Sequence, residues 1–255
     1  MELAISTLFC LQDPFEEALP EIIRSGSRLI EVVDSGPHTL TRSRVERLQE
    51  MKASYDLRYS IHAPFTDVNL TADDDYVRNA ILERLEESIR WASELGEILV
   101  FHPGNQTVLE RVSPGTAWDI NLRSVRRLLR CAEEYGVKAL IENVPEPFPY
   151  VLKSVEDFTR FFDEIGAEIG MVLDVAHANL RSEALEFIGR FGEYIEHVHV
   201  SDNNGASDVH LRVGEGSIDW GKTMEALKES PFDGWVTIES YHGVKESLEL
   251  LRSLI

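Results

Sequence analysis

The chain has 255 residues, 43% of them hydrophobic, enough apolar side chain to bury a sizeable core and to exclude a largely disordered protein. Its 45 acidic residues against 25 basic ones give a formal net charge of −20, which opposes non-specific attraction to a phosphate backbone or an anionic membrane surface. Cys10 and Cys131 lie far apart with no CxxC spacing, and no segment nears the roughly 18 apolar residues of a membrane span, so a soluble cytoplasmic protein without a disulfide framework is expected.

In chain order, short β-type runs alternate with longer amphipathic stretches. Strands are predicted near 2–7, 28–33, 57–62, 97–102, 137–142, 169–174, 194–200 and 234–239. Helices are predicted near 14–25, 41–53, 73–95, 117–135, 154–165, 180–191, 219–229 and 243–254. Gly96 and Gly136 each follow a helical run and suit a left-handed C-cap, while Ser154-Val-Glu-Asp157 reads as a loose capping box with Asp in place of Glu or Gln. Regular βα alternation without a Ser/Gly linker or a composition break predicts an α/β fold, one (β/α)8 TIM barrel over residues 1–255.

Acidic residues and histidines recur where the strand runs end, and in such a barrel those ends form one catalytic face. The inward parity of each strand puts Leu140 on the same face as Glu142 with Ile141 outward, Val172 beneath Asp174, and Thr237 beneath Glu239. Glu142, Asp174 and Glu239 would repel one another there, and a divalent cation is the economical counter-charge. His62, His102, His199 and His210 add imidazole nitrogens of the kind borderline divalent ions accept. His177 follows Asp174 by three residues and turns back over the site as a ligand or a substrate contact, and Asp208 and His210 are spaced to reach one centre.

Other residues receive different readings. His197, one layer below His199, is assigned a buried structural role, while His38 and His242 fall in mouth-side loops expected to be exposed to solvent. Asp202 is a candidate to orient an imidazole. Arg212 is a candidate contact for a substrate hydroxyl or phosphate and Trp220 for an apolar wall. Gly214-Glu-Gly-Ser-Ile-Asp-Trp220 matches neither a Walker A pattern nor GxGxxG, and its glycines either let the loop pass close to the site or offer backbone N–H groups to a phosphate. Pro145, Pro147 and Pro149 stiffen the loop after Glu142.

Taken together, His62-Ala-Pro-Phe65 with Asn69-Leu, Phe101-His-Pro-Gly104, Ile141-Glu-Asn143, Leu173-Asp-Val-Ala-His177, His199-Val-Ser-Asp202, Asp208-Val-His210 and Ile238-Glu239 resemble the xylose isomerase-like TIM-barrel superfamily. The resemblance covers essentially the whole chain. That superfamily includes sugar-phosphate isomerases and epimerases and also the endonuclease IV family (AP endonuclease family 2). The epimerase branch implies a single Mn²⁺, Mg²⁺ or Co²⁺ held by Glu142, Asp174, His199 and Glu239, with Glu142 and Glu239 moving a proton beside a carbonyl. The endonuclease branch implies up to three zinc ions on His62, His102, Glu142, Asp174, His177, His199, Asp208, His210 and Glu239.

Departures from the endonuclease pattern favour the first branch. Leu3-Ala-Ile-Ser-Thr7 lacks the Gly-x-His-x-Ser opening, and Asp208-Val-His210-Leu stands where Asp-Arg-His-Glu is expected. The expectation is therefore a metal-dependent isomerase or epimerase of a small sugar, sugar phosphate or related polyol. The alternative is a zinc-dependent phosphodiesterase cleaving DNA at abasic sites, for which the acidic chain is poorly suited. Nothing in the sequence specifies an oligomeric state.

Overall fold

Each βα unit expected from the sequence is present in a computed structural model of the protein, which describes residues 1–96 and 98–255. The strands are β1 (Glu2–Ser6), β2 (Leu29–Val33), β3 (Arg58–His62), β4 (Ile98–Phe101), β5 (Lys138–Glu142), β6 (Gly170–Asp174), β7 (Ile195–Val200) and β8 (Trp235–Ile238). They pair in parallel in sequence order, and β8 closes on β1. The predicted start of the fourth strand, residue 97, lies outside the described residues.

Around the barrel run α1 (Phe15–Arg24), α2 (Arg42–Tyr55), α3 (Asp75–Leu95), α4 (Thr116–Tyr135), α5 (Val155–Ile165), α6 (Val175–Asn179), α7 (Ala184–Phe191), α8 (Trp220–Glu229) and α9 (Val244–Leu254). The helix predicted over 180–191 begins at Ala184, and a separate short helix, α6, precedes it. The Asp174 carboxylate accepts from the His177 N–H at 2.7 Å and starts α6 directly on the end of β6, and the break before α7 includes Ser182 in the left-handed region at φ 58°. No helix among the described residues is long and apolar enough to cross a membrane.

Strand parity separates two interiors. Outward residues such as Ile30, Ile61, Leu99, Ile141, Leu173, Val198 and Val236 join the helices' apolar faces in one continuous core. Inside the barrel, Ala4, Leu29 and Trp235 make one small apolar cluster, and Val100, Leu140 and Val172 make another. The polar inward residues Glu31, His197 and Thr237 are also fully buried, and the rim carries His62, Glu142, Asp174, His199 and Glu239. The barrel is thus a filled core with a polar upper half.

The loose capping box forms: Ser154 Oγ accepts from Asp157 N at 3.1 Å, and Asp157 Oδ2 accepts from Ser154 N at 2.9 Å. Gly136 takes the left-handed C-cap at φ 65°. Gly96 does not, with φ −158°, an extended value open to any residue. It is glycine because a Cβ there would lie 1.6 Å from the Tyr59 carbonyl oxygen. Gly96→Ala is therefore expected to destabilise the fold by about 3 kcal/mol, the upper part of the overpacking range, because the obstructing atom is backbone. A lowered denaturation midpoint at unchanged slope would register it; an unchanged midpoint would disprove the close approach.

His38 departs from its expected exposure. It is buried, its Nε2–H donates to the Asp13 carbonyl at 3.1 Å, and its ring stands edge-on to Phe15. Burial lowers its pKa, so it serves as a neutral packed imidazole.

Candidate active site

Four side chains from adjacent strands meet at the C-terminal rim. One ligand atom each of Glu142 (β5), Asp174 (β6), His199 (β7) and Glu239 (just beyond β8) lies within 4.8 Å of the others. His199 Nδ1 is 3.4 Å from Glu142 Oε1 and 3.3 Å from Glu239 Oε2. Asn143 ties the β5 end to the β6 end, accepting from Asp174 N at 2.8 Å and donating to its carbonyl at 3.0 Å.

Glu142 Oε1, Asp174 Oδ2 and His199 Nδ1 are buried without a hydrogen-bond partner. Leaving such atoms unserved is costly, and three carboxylates with one imidazole form a donor set suited to a divalent ion. The residues present fit the metal that the rim carboxylates suggested.

Two further groups flank this centre. His62 Nε2 lies 3.3 Å and His102 Nε2 3.1 Å from Glu142 Oε2. On the other side, Asp208 Oδ2 is 3.3 Å from His177 Nε2 and 3.2 Å from His210 Nε2. The Nδ1–H groups of His62, His177 and His210 donate to the carbonyls of Ala63, Asn143 and Glu239 at 2.9, 2.8 and 2.9 Å, which turns each Nε2 toward the cavity. His210 holds this pose at φ 44°, a strained region for a non-glycine residue and one often found at functional sites. The structure thus brings together all nine residues expected as ligands.

The electrostatics follow from carboxylates and imidazoles sharing a dry space. For Glu142, burial pushes the pKa up, but His199 and His102 outweigh it and hold the carboxyl well below its usual range. For Asp174, burial dominates and raises it to about 6 despite His177. Burial lowers the imidazole pKa values, yet Glu239, Glu31 and Glu142 carry His199 well above its usual value, and Asp174 and Asp208 carry His177 to about 10. His62 rises to about 9 against burial because of Glu142 and Glu239.

Protons on these imidazoles would balance the carboxylates, and a cation bound there would have to displace them. His199 would ligate only when neutral, so at about pH 7 metal binding is expected to release protons, with an affinity that rises with pH. Calorimetric titrations with Mn²⁺ in buffers of different ionisation enthalpy should report that release. A pH-independent affinity with no proton release would contradict this charge balance.

The mouth opens on a cavity of about 230 Å³. Its walls are apolar or aromatic, from Leu8, Phe65, Pro145, Phe148, Tyr150 and Tyr241, and its floor is the His and carboxylate groups. Among the described residues no Lys or Arg lines it.

Arg212 and Trp220, expected as substrate contacts, do not reach the cavity. Arg212 Cδ packs on Gly243 and its Nε lies 3.7 Å from Glu215. Trp220 is buried, and its Nε1–H donates to Asp202 Oδ2 at 2.8 Å. Asp202 orients no imidazole. Its carboxylate also accepts from Asn203 N and Gly214 N, each at 2.9 Å, and so fixes the loop between β7 and α8. Gly216 serves that loop, since a Cβ would lie 2.2 Å from the Asn203 carbonyl oxygen.

His197 is buried, and His242 is exposed beside Glu215. Sequence reading missed Glu31, fully buried beneath the centre between His197 and His199. Its signal was a lone charge on inward parity in Leu29-Ile-Glu31-Val-Val33. The aromatic walls Phe65 and Tyr150 had only their nearness to His62 and to the proline-rich loop to mark them.

A closed parallel barrel with converging carboxylates and imidazoles at its C-terminal mouth defines a TIM-barrel protein with a rim site. The chain belongs to the xylose isomerase-like TIM barrel family, whose family model matches residues 21–254. It is similar to an uncharacterized protein of Methanocaldococcus jannaschii, 31% identical over 94% of this chain and 84% of that protein. Fructoselysine 3-epimerase of Shigella flexneri is 21% identical over 89% of this chain and 85% of that enzyme. A solved structure of a D-tagatose 3-epimerase-like protein matches with a TM-score of 0.93 at 30% identity, covering 100% of this chain and 97% of that one.

Proposed function

We propose that the protein is a divalent-metal-dependent isomerase or epimerase of a small sugar or related polyol. The observation that carries this reading is that two carboxylates from strands three apart, Glu142 and Glu239, share one centre with Asp174 and His199. Similarity to a sugar 3-epimerase and to a D-tagatose 3-epimerase-like protein supports it.

A divalent cation held by Glu142, Asp174, His199 and Glu239 would supply Lewis acidity toward the carbonyl of an open-chain sugar, which acidifies the neighbouring C–H. Glu142, whose Oε2 lies beside His62 and His102, acts as the carboxylate that accepts that proton. Glu239, entering the step as the carboxylic acid, gives its proton to the same carbon from the other face, and proton exchange with solvent then resets the two carboxyls. Configuration inverts, nothing is consumed, and the two carboxyls exchange roles in the reverse direction. His177, whose Nε2 faces the cavity beside Asp208, holds a substrate hydroxyl. Phe65, Phe148 and Tyr150 exclude water and offer flat apolar faces to the C–H side of a sugar. With no Lys or Arg among the described lining residues, an uncharged sugar suits the cavity better than a phosphate ester.

The test is NMR of a ketose panel, free and phosphorylated, incubated with metal-replete protein in D₂O. Deuterium entering the carbon beside the carbonyl, together with the epimer, is the expected result for a free sugar; no exchange anywhere in the panel would refute the reading. A second reading, an endonuclease IV-like zinc phosphodiesterase, draws on the several overlapping ligand groups at the rim. Incision of abasic duplex DNA would support it.

A further inference from the structure

We propose that Glu31, in the middle of β2, is a positioning residue that decides which nitrogen of His199 faces the metal centre; this rests on the metal-dependent reading above. Glu31 takes no part in the proton transfer just described. It is fully buried, and apolar clusters of Ala4, Leu29 and Trp235 and of Val100, Leu140 and Val172 occupy the same barrel interior. A carboxylate in such a place is costly, and an apolar residue of similar size would often serve stability as well. Its contacts indicate what the charge is for.

Glu31 Oε1 lies 2.9 Å from His199 Nε2, on the opposite side of the ring from the Nδ1 that faces Glu142 and Glu239. The contact is short but off the line of the N–H. A neutral imidazole offers a lone pair at one nitrogen only if the other carries the proton. A carboxylate beside Nε2 selects the Nε2–H form, leaves the Nδ1 lone pair for the cation, and makes it a stronger donor.

The carboxylate is itself held. Ser60 Oγ donates to Glu31 Oε2 at 3.0 Å, and His197 Nε2 lies 3.1 Å from the same oxygen. His197 is not dependent on Glu31 alone, because its Nε2 also pairs with Thr237 Oγ1 at 2.8 Å. Glu31 thus stands oriented beneath His199, with Ser60 and His197 on its far oxygen.

The experiment compares Mn²⁺ affinity, by calorimetry on chelator-stripped protein, for the wild type and Glu31→Gln. The substitution keeps size and an acceptor oxygen for Ser60 but removes the charge that selects the tautomer. Affinity should fall about 10–100-fold. Equal affinities would overturn the proposal and leave the metal reading intact, whereas a wild type that binds no divalent ion would overturn both.

Should Glu31→Gln not fold, ¹⁵N-histidine NMR of the Zn²⁺-loaded wild type still decides. Metal-shifted Nδ1 and protonated Nε2 at His199 are expected. Ligation through Nε2 would overturn the assignment.

Discussion

Glu142→Gln is expected to lower turnover by about 10²–10⁴-fold, and Glu239→Gln to do the same, because each removes one of two groups that carry the proton. Glutamine keeps the length of the side chain and an oxygen for the cation but cannot accept a proton at neutral pH. Metal affinity should therefore fall far less than turnover. The substitutions differ in their surroundings: Glu142 Oε2 is shared by His62 and His102, so Glu142→Gln also leaves two imidazoles short of a charge partner. The double variant should be little worse than either single one, since the two carboxyls act as a unit. Solvent deuterium exchange separates the steps. A variant retaining turnover within about threefold of wild type would remove that residue from the proton path.

Chelation is expected to abolish turnover, with recovery on adding Mn²⁺, Mg²⁺ or Co²⁺. Glu142 Oε1 and Asp174 Oδ2 are buried without a hydrogen-bond partner, and an ion bound there would stabilise only the folded state. At about 100 times its dissociation constant the ion contributes about 2.7 kcal/mol. For a chain of this size that is a rise of about 5–10 °C in melting temperature. Asp174 separates ligand from fold, because one oxygen faces the centre while the carboxylate also caps α6 through His177 N at 2.7 Å. Asp174→Asn should keep the cap and weaken the metal, whereas Asp174→Ala should also cost about 1 kcal/mol of metal-free stability. Full activity after exhaustive chelation would refute metal dependence.

The rim was legible because two periodicities coincide. Strand parity fixes which residues point inward, and the ends of parallel strands all lie on one face, so Glu142, Asp174 and His199 could be grouped without coordinates. Glu31 followed the same parity and was passed over because it sits mid-strand, where a lone acid reads as an interruption rather than a buried group.

Other features depend on tertiary contacts that no local pattern encodes. Gly96, at the end of α3, is required by the Tyr59 carbonyl of β3, and His38 is buried by Phe15 and Asp13. Arg212 and Trp220 neighbour site residues in sequence, but the Asp202 carboxylate sets the path of their loop and turns Trp220 inward. The start of α6 is hidden in the sequence because Asp174 ends a strand and its carboxylate also caps the helix.

The metal content of protein purified without chelator, measured alongside activity, tests the central claim most directly. The account predicts about one divalent ion per chain, lost with Asp174→Ala, and deuterium exchange into a free ketose that scales with occupancy. About three zinc ions per chain, with incision of abasic DNA and no exchange into any ketose, would contradict it.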